Sequence, residues 1–225
     1  MDGTTMEQPA TPTIQPGDAV LQLQSSVLID APIAAVWNAL TDTSTWAKWN
    51  QFVPRVTMRA QQPDSPSLPS VSSDQQQQQQ QPLSPVLRQG SHATFHVRMN
   101  AASPGPQREA TVHLTVTECS PPDLLATTTT TTNPRARIVW VNDAPAQGFL
   151  MSSLLTAERV HELSVVDVAV GGEGEGGKVK QMTRVRNWEN QTGYLAYVVR
   201  WMYGRVLRED FEIWVQGLKE YVELV

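Results

Sequence analysis

Alternation of apolar and polar residues organises the middle of the chain. Ala93, Phe95, Val97 and Met99 fall on one side of a period-two pattern, and His92, Thr94, His96 and Arg98 on the other. Ala110, Val112, Leu114 and Val116 oppose Thr111, His113, Thr115 and Thr117 in the same way. Successive side chains of a strand point to opposite faces, so both stretches read as half-buried strands of an antiparallel sheet with one dry face. Ile138 and Trp140 alternate within residues 137–142. Two longer stretches, 158–168 and 178–189, form a hairpin across the glycine-rich run 171–177. Residues 21–29 and 52–58 complete a set of about seven strands, and Pro54 marks the second of these as an edge or a bulge.

Between the first two strands the period lengthens. Asp30-Ala31-Pro32 supplies an acidic cap candidate and a proline in the first turn, and Ile33, Val36, Trp37 and Leu40 follow at helical spacing up to Thr41-Asp42. A second short helix, 44–50, carries Trp46 and Trp49 on one side. These indoles and Trp37 are expected to pack the two short helices onto the domain. After Gly193, apolar residues at Val199, Tyr203, Leu207, Phe211, Trp214, Leu218, Tyr221 and Val225 make one long stripe. Gly204 and Gly217 each weaken that helix by roughly 1 kcal/mol relative to Ala, and Gly204 is a candidate bend.

Composition separates this periodic chain from what interrupts it. Only 17% of the 225 residues are charged, because glutamine, threonine and proline tracts dilute the rest. Gln75 to Gln81 and Thr127 to Thr132 are unbroken runs, which cannot bury enough apolar surface to offset the entropy of ordering. Low-complexity insertions are therefore placed at about 61–86 and 121–135. With Pro104-Gly105-Pro106 and the glycine run, they fall between adjacent strands. Doubling a loop there adds only about 0.6 kcal/mol of closure entropy. Residues 1–20 read as a disordered arm and 21–225 as a single domain.

The formal net charge is −5, and the nearest approach to a basic cluster (Arg184, Arg186, Arg200, Arg205, Arg208) is interleaved with Glu189, Glu209 and Asp210. Neither nucleic acid nor an anionic membrane is expected as a principal partner. Cys119 stands alone, and the first twenty residues lack the basic start and apolar run of a secretion signal, so a cytoplasmic location is the expectation. No apolar stretch approaches the roughly 20 residues of a membrane span. The Asn190-Gln191-Thr192 sequon then reads as a chance match.

The residues at both ends carry a resemblance. Ser26-Val27-Leu28-Ile29-Asp30-Ala31-Pro32, then Val36 to Asp42, then Trp46 to Val53, resemble the N-terminal signature of the SRPBCC superfamily, which includes START-like, Bet v 1-like and polyketide cyclase/dehydrase proteins. Trp188-Glu189, Gly193-Tyr194-Leu195-Ala196, Phe211 and Leu218-Lys219 resemble its strand-to-helix junction and terminal helix, and the tract-rich loops are similar to those of filamentous-fungal members. The resemblance implies an α+β helix-grip fold, a curved antiparallel sheet around the long C-terminal helix with an apolar cavity between them. It also implies a hydrophobic ligand, lipid or polyketide-like, either carried or, in some members, cyclised or dehydrated. Gln191 departs from the pattern, since many members have an aromatic residue before the glycine, and it implies a more polar entrance there. Fold alone does not decide between carrier and enzyme.

Candidate chemistry is sparse. Phe95, Met99, Trp140, Tyr203, Phe211 and Trp214 occupy faces expected to point inward, either as cavity lining or as ordinary core. His92, His96, His113 and His161 lack the spacing or cysteine partners of zinc sites, so no metal is expected and the first two read as solvent-facing. No nucleophile elbow, phosphate loop or dinucleotide fingerprint is present, and no cofactor is expected. Within 158–162, alternation puts Arg159 and His161 on one face with Leu163 and Val165. If that face lines the cavity, Arg159 polarises a carbonyl and His161 moves a proton, the two roles that an aldol-type closure or dehydration needs. The opposing reading is a solvated ladder of alternating charges.

Overall fold

Strand pairing runs almost in chain order. A computed structural model of the chain describes residues 9–61, 83–103, 109–123, 134–148, 154–170 and 178–225. Its strands are β1 (Leu21–Ile29), β2 (Arg55–Ala60), β3 (His92–Arg98), β4 (Glu109–Ser120), β5 (Arg135–Asn142), β6 (Thr156–Val170) and β7 (Lys178–Thr192). They form one seven-stranded sheet in the order β1-β7-β6-β5-β4-β3-β2. Every pairing is antiparallel, and five of the six join consecutive strands. The exception is the first strand, which lies against the last, Leu21 opposite Gln191 and Ile29 opposite Thr183.

Among the described residues the α-helices beside the sheet are α1 (Ile33–Thr41), α2 (Ala144–Gln147) and α3 (Tyr194–Leu224). Helix α3 crosses the inner face and packs along β1. Lys219 fastens it there by donating to the Leu28 carbonyl at 2.9 Å. Gly193 makes the strand-to-helix junction possible, because its φ of 99° lies in the left-handed region and a Cβ would sit 2.4 Å from the Leu154 carbonyl oxygen. This is the helix-grip arrangement expected from the two ends of the chain.

The second short helix is a 3-10 helix, Thr43–Lys48, opened by the Asp42 carboxylate accepting from the Ser44 backbone N–H at 3.0 Å. Its Trp46 is fully buried and meets Phe95 edge-on at 5.3 Å, Trp49 at 5.8 Å and Trp214 at 6.4 Å. The indoles thus dock this segment onto the sheet and the C-terminal half of α3. β2 starts at Arg55, later than alternation from Phe52 suggested. Pro54 has no N–H for a ladder, and Phe52 and Val53 are buried in the core instead. Helix α2 was not anticipated.

The N-terminal arm requires a correction. Residues 1–8 lie outside the described residues, but from Pro9 on the chain is held against the outer face of the sheet. The Trp188 indole N–H donates to the Ala10 carbonyl at 3.1 Å, and the Asn190 side-chain amide donates to Pro9 and Ile14. Glu158 accepts from the Thr13 backbone N–H at 2.8 Å and from its hydroxyl. Thr11 and Ile14 are each 3% exposed. The arm covers an outer-face row in which Val139, Val160 and Trp188 pair across β5, β6 and β7. A proline-rich composition suggested disorder, yet a short segment with one well-placed apolar residue is anchored by the polar groups beneath it. The glutamine and threonine tracts, Pro104-Gly105-Pro106 and the glycine run lie outside the described residues.

Candidate functional site

The inner faces of β3 to β7 and the first half of α3 border a cavity of about 170 Å³. Phe95 and Val97 of β3, Met99 just after it, Val112 and Leu114 of β4 and Trp140 of β5 give it apolar walls, with Val199 and Leu207 of α3 on the other side. Its volume is below the roughly 300–1,000 Å³ of pockets for drug-sized ligands, so it suits a small molecule or one end of a longer one. A larger hollow of about 720 Å³, between Lys48, Gln51, Arg98, Glu220 and Tyr221, has walls of mixed polarity. The smaller, aromatic-lined cavity, whose walls are mostly apolar, has the character of a small-molecule site.

One wall is polar. Arg159 on β6 pairs directly with Glu189 on β7, and its Nε donates to Glu189 Oε2 at 2.8 Å. The other carboxylate oxygen, Oε1, accepts from Gln191 Nε2 at 2.6 Å. The Arg159 guanidinium also lies 4.1 Å from the centre of the Phe211 ring and 5.6 Å from that of Phe52. All three polar side chains line the cavity and are at least nine-tenths buried. A buried charge persists only when paired, and here each member of the ion pair has its counter-charge and further contacts. Asp210, on the sheet-facing side of α3, accepts from the backbone N–H groups of Asn100 and Ala101, and burial raises its pKa above the usual carboxylate range.

His161 shares the inner face with Arg159, as alternation required, but does not reach the cavity. Its ring is fully buried between Trp140, 4.4 Å away, and Trp214, 4.5 Å away. Neither ring nitrogen has a hydrogen-bond partner among the described residues. Burial, reinforced by the Arg159 charge, holds its pKa well below the ordinary 6.5, so the ring is neutral at pH 7. Arg159 and His161 are therefore neighbours along β6 without forming a pair across one reacting centre.

Of the six expected lining residues, Phe95, Met99 and Trp140 line the cavity. Phe211 and Trp214 are core residues, the first beneath the Arg159 guanidinium and the second against His161 and Trp46. Tyr203 is not a lining residue: it is 39% exposed, with Tyr194, Tyr197 and Trp201 also exposed on the same part of α3. The inward place is taken by Gly204, whose Cα lies close enough to Leu21 for a Cβ to make ordinary contact at 3.9 Å. Glu189 was not singled out from the sequence. Its signal is the run Asn187, Glu189, Gln191, polar at every second position just before the junction. His92 and His96 stand on the outer face, bonded to Asp143 and Thr57. No group of three or more potential metal ligands comes together among the described residues. No helix among them is long and apolar enough to cross a membrane.

Similarities to other proteins agree with this architecture. The family described as "Polyketide cyclase / dehydrase and lipid transport" matches residues 21–147. "Oxopyrrolidines biosynthesis cluster protein O" of Penicillium oxalicum is 34% identical over 214 residues, covering 95% of this chain and 92% of its own length. Among solved structures, a hypothetical protein from Helicobacter pylori superposes with a TM-score of 0.51 at 15% identity, covering 92% of this chain and 90% of its own, which shows the fold alone. A START superfamily protein from Mycobacterium smegmatis aligns over 90% of this chain and 97% of its own at 10% identity, with a TM-score of 0.49. A match over more than half of the sequence and a relative shared almost end to end lead to one assignment: the chain belongs to the polyketide cyclase / dehydrase and lipid transport family, of the SRPBCC type that its ends resemble.

Proposed function

We propose that the chain is a ligand-binding or carrier protein that holds a small hydrophobic molecule, lipid or polyketide-like, in the inner cavity. The observation that carries this reading is the cavity with aromatic and aliphatic walls and one polar end, the combination by which small-molecule sites fix both affinity and orientation. Native mass spectrometry of protein purified from its own source tests it. A co-purifying small molecule, absent from a Val199→Trp variant whose indole fills the cavity, is the expected result. Equal ligand content in both would place the ligand elsewhere. The lone Cys119, half-buried and unpaired, is in keeping with a reducing, cytoplasmic setting.

A cyclase or dehydratase is the second reading, favoured by the presence of a guanidinium and a carboxylate in the same cavity and by the biosynthesis-cluster relative. In it Arg159 polarises a carbonyl, and Glu189, rather than the enclosed His161, takes the proton from the adjacent carbon. It stands second because both Glu189 oxygens are already engaged, by Arg159 and Gln191. Following ring formation from a poly-β-carbonyl thioester decides it. Turnover that disappears in Glu189→Gln and persists in His161→Phe supports this second reading, and no turnover leaves the carrier.

A further inference from the structure

The polar wall of the cavity has a fixed polarity that goes beyond the binding of something hydrophobic. Glu189 is in an ion pair with Arg159, so both of its oxygens can only accept hydrogen bonds. The Gln191 amide 2.6 Å away must therefore turn its NH₂ towards Oε1. A flipped amide would set two acceptors against each other in a buried place. This fixes Gln191 Oε1 as an acceptor, and it is buried with no hydrogen-bond partner among the described residues, on a side chain that is 6% exposed and lines the cavity. Leaving a buried acceptor unpaired is destabilising, so the site gains when something supplies a donor.

The neighbouring group has the opposite character. Arg159 uses Nε for Glu189, and its two terminal nitrogens make no hydrogen bond to a described residue. They offer donors to an acceptor oxygen in the same cavity. Arg159, Glu189 and Gln191 thus form one chain of bonds whose two ends are complementary, donor at Arg159 and acceptor at Gln191.

We propose that Gln191 is a specificity-determining residue that selects a compact hydrophobic ligand carrying an acceptor oxygen with an O–H or N–H donor close by. Two kinds of molecule present that pair: a phenol or enol near a carbonyl, and a secondary lactam. The inference rests on the ligand-binding reading above and narrows it to a class of ligand.

Matched probes differing only in the donor hydrogen test it. Calorimetric titration of the full chain uses meta-hydroxyacetophenone against its methyl ether, and a phenyl-substituted pyrrolidinone against its N-methyl derivative, with naphthalene as a probe lacking polar atoms. The expected result is that the wild-type protein prefers the donor-bearing member of at least one pair by roughly ten-fold, the value of one hydrogen bond. Preference confined to the phenol pair assigns the hydroxy-carbonyl class, and preference confined to the lactam pair assigns the lactam. In Gln191→Leu, similar in volume, the steric penalty of the added methyl remains while the acceptor is gone. The preference is expected to fall below roughly two-fold there, with naphthalene still bound. Equal affinity within both pairs for the wild type, with naphthalene bound, overturns the role of Gln191 and leaves the binding reading standing. A preference that survives in Gln191→Leu also overturns it. Failure of every probe, naphthalene included, overturns both readings. If Gln191→Leu does not fold, the wild-type comparison of the matched pairs still decides.

Discussion

Arg159 Nε and Glu189 Oε2 lie 2.8 Å apart across the β6–β7 ladder, with both side chains about nine-tenths buried. Removing one partner leaves an uncompensated charge beside an apolar cavity. Arg159→Met is expected to lower unfolding free energy by about 3–5 kcal/mol in urea denaturation. The double variant Arg159→Met/Glu189→Leu is expected to recover most of that loss, because two apolar groups replace two charges that had to leave water. A double variant as unstable as the sum of the singles would show that the pair is not what holds this wall.

His161 gives a pH dependence with a definite sign. Its native pKa lies well below the ordinary 6.5, so the unfolded chain takes up a proton that the folded chain refuses. Stability is fully present above about pH 6.5 and is lost as the pH falls below it, by up to about 1.4 kcal/mol per pH unit while the native ring stays neutral. His161→Phe keeps an aromatic ring between Trp140 and Trp214 and removes two unpaired nitrogens. The variant is expected to be at least as stable at pH 7 and to lose this slope, so the difference between the two proteins grows from pH 6.5 to pH 5. Parallel stability curves would mean that the histidine is charged or solvated in the native state.

Two glycines of α3 are expected to answer oppositely to the same change. A Cβ on Gly204 meets nothing nearer than 3.9 Å, so Gly204→Ala should stabilise by up to about 1 kcal/mol through helix propensity. A Cβ on Gly217 would stand 2.4 Å from the Trp49 carbonyl oxygen, and backbone must move to admit it. Gly217→Ala should therefore destabilise despite the better propensity. Thermal melts of the two single variants are sufficient, and shifts of the same sign would contradict the close approach of α3 to Trp49.

The anchored arm predicts a cost where a disordered tail predicts none. Ile14 is 3% exposed, and Ile14→Ala should lower unfolding free energy by about 2–4 kcal/mol, against less than about 0.5 kcal/mol for a solvated position.

Where one face is dry and the other wet, the sequence was readable. β3 and β4 alternate cleanly, and all seven strands and the terminal helix lie close to where periodicity put them. Legibility failed where a face carried the wrong polarity for its side. On β7 the inner positions run Val185, Asn187, Glu189, Gln191, while the outer positions include the bulky Trp188, which the arm covers. Alternation therefore points to no dry face, and the polar wall of the cavity is hidden. On α3 the apolar stripe led through Tyr203, but the helix turns inward one residue later, at a glycine that has no side chain to register in a pattern. His161 was placed on the correct face, yet whether a group on that face meets the cavity or the core depends on the indoles around it, which come from β5 and α3.

The pairing of the first strand with the last governs how the chain can reach this structure. Among the described residues β1 has β7 as its one ladder partner, some 150 residues later in the chain, and β7 is in turn held by β6. Contacts between such distant segments are slow to close. The stretch 21–147 that carries the family match contains β1 without β7 and β5 without β6, so it is not a folding unit. The sheet is complete only with β7 in place, and the strand that completes it is the one bearing Glu189 and Gln191, so two of the three polar side chains of the cavity wall depend on the pairing between the most distant segments of the chain.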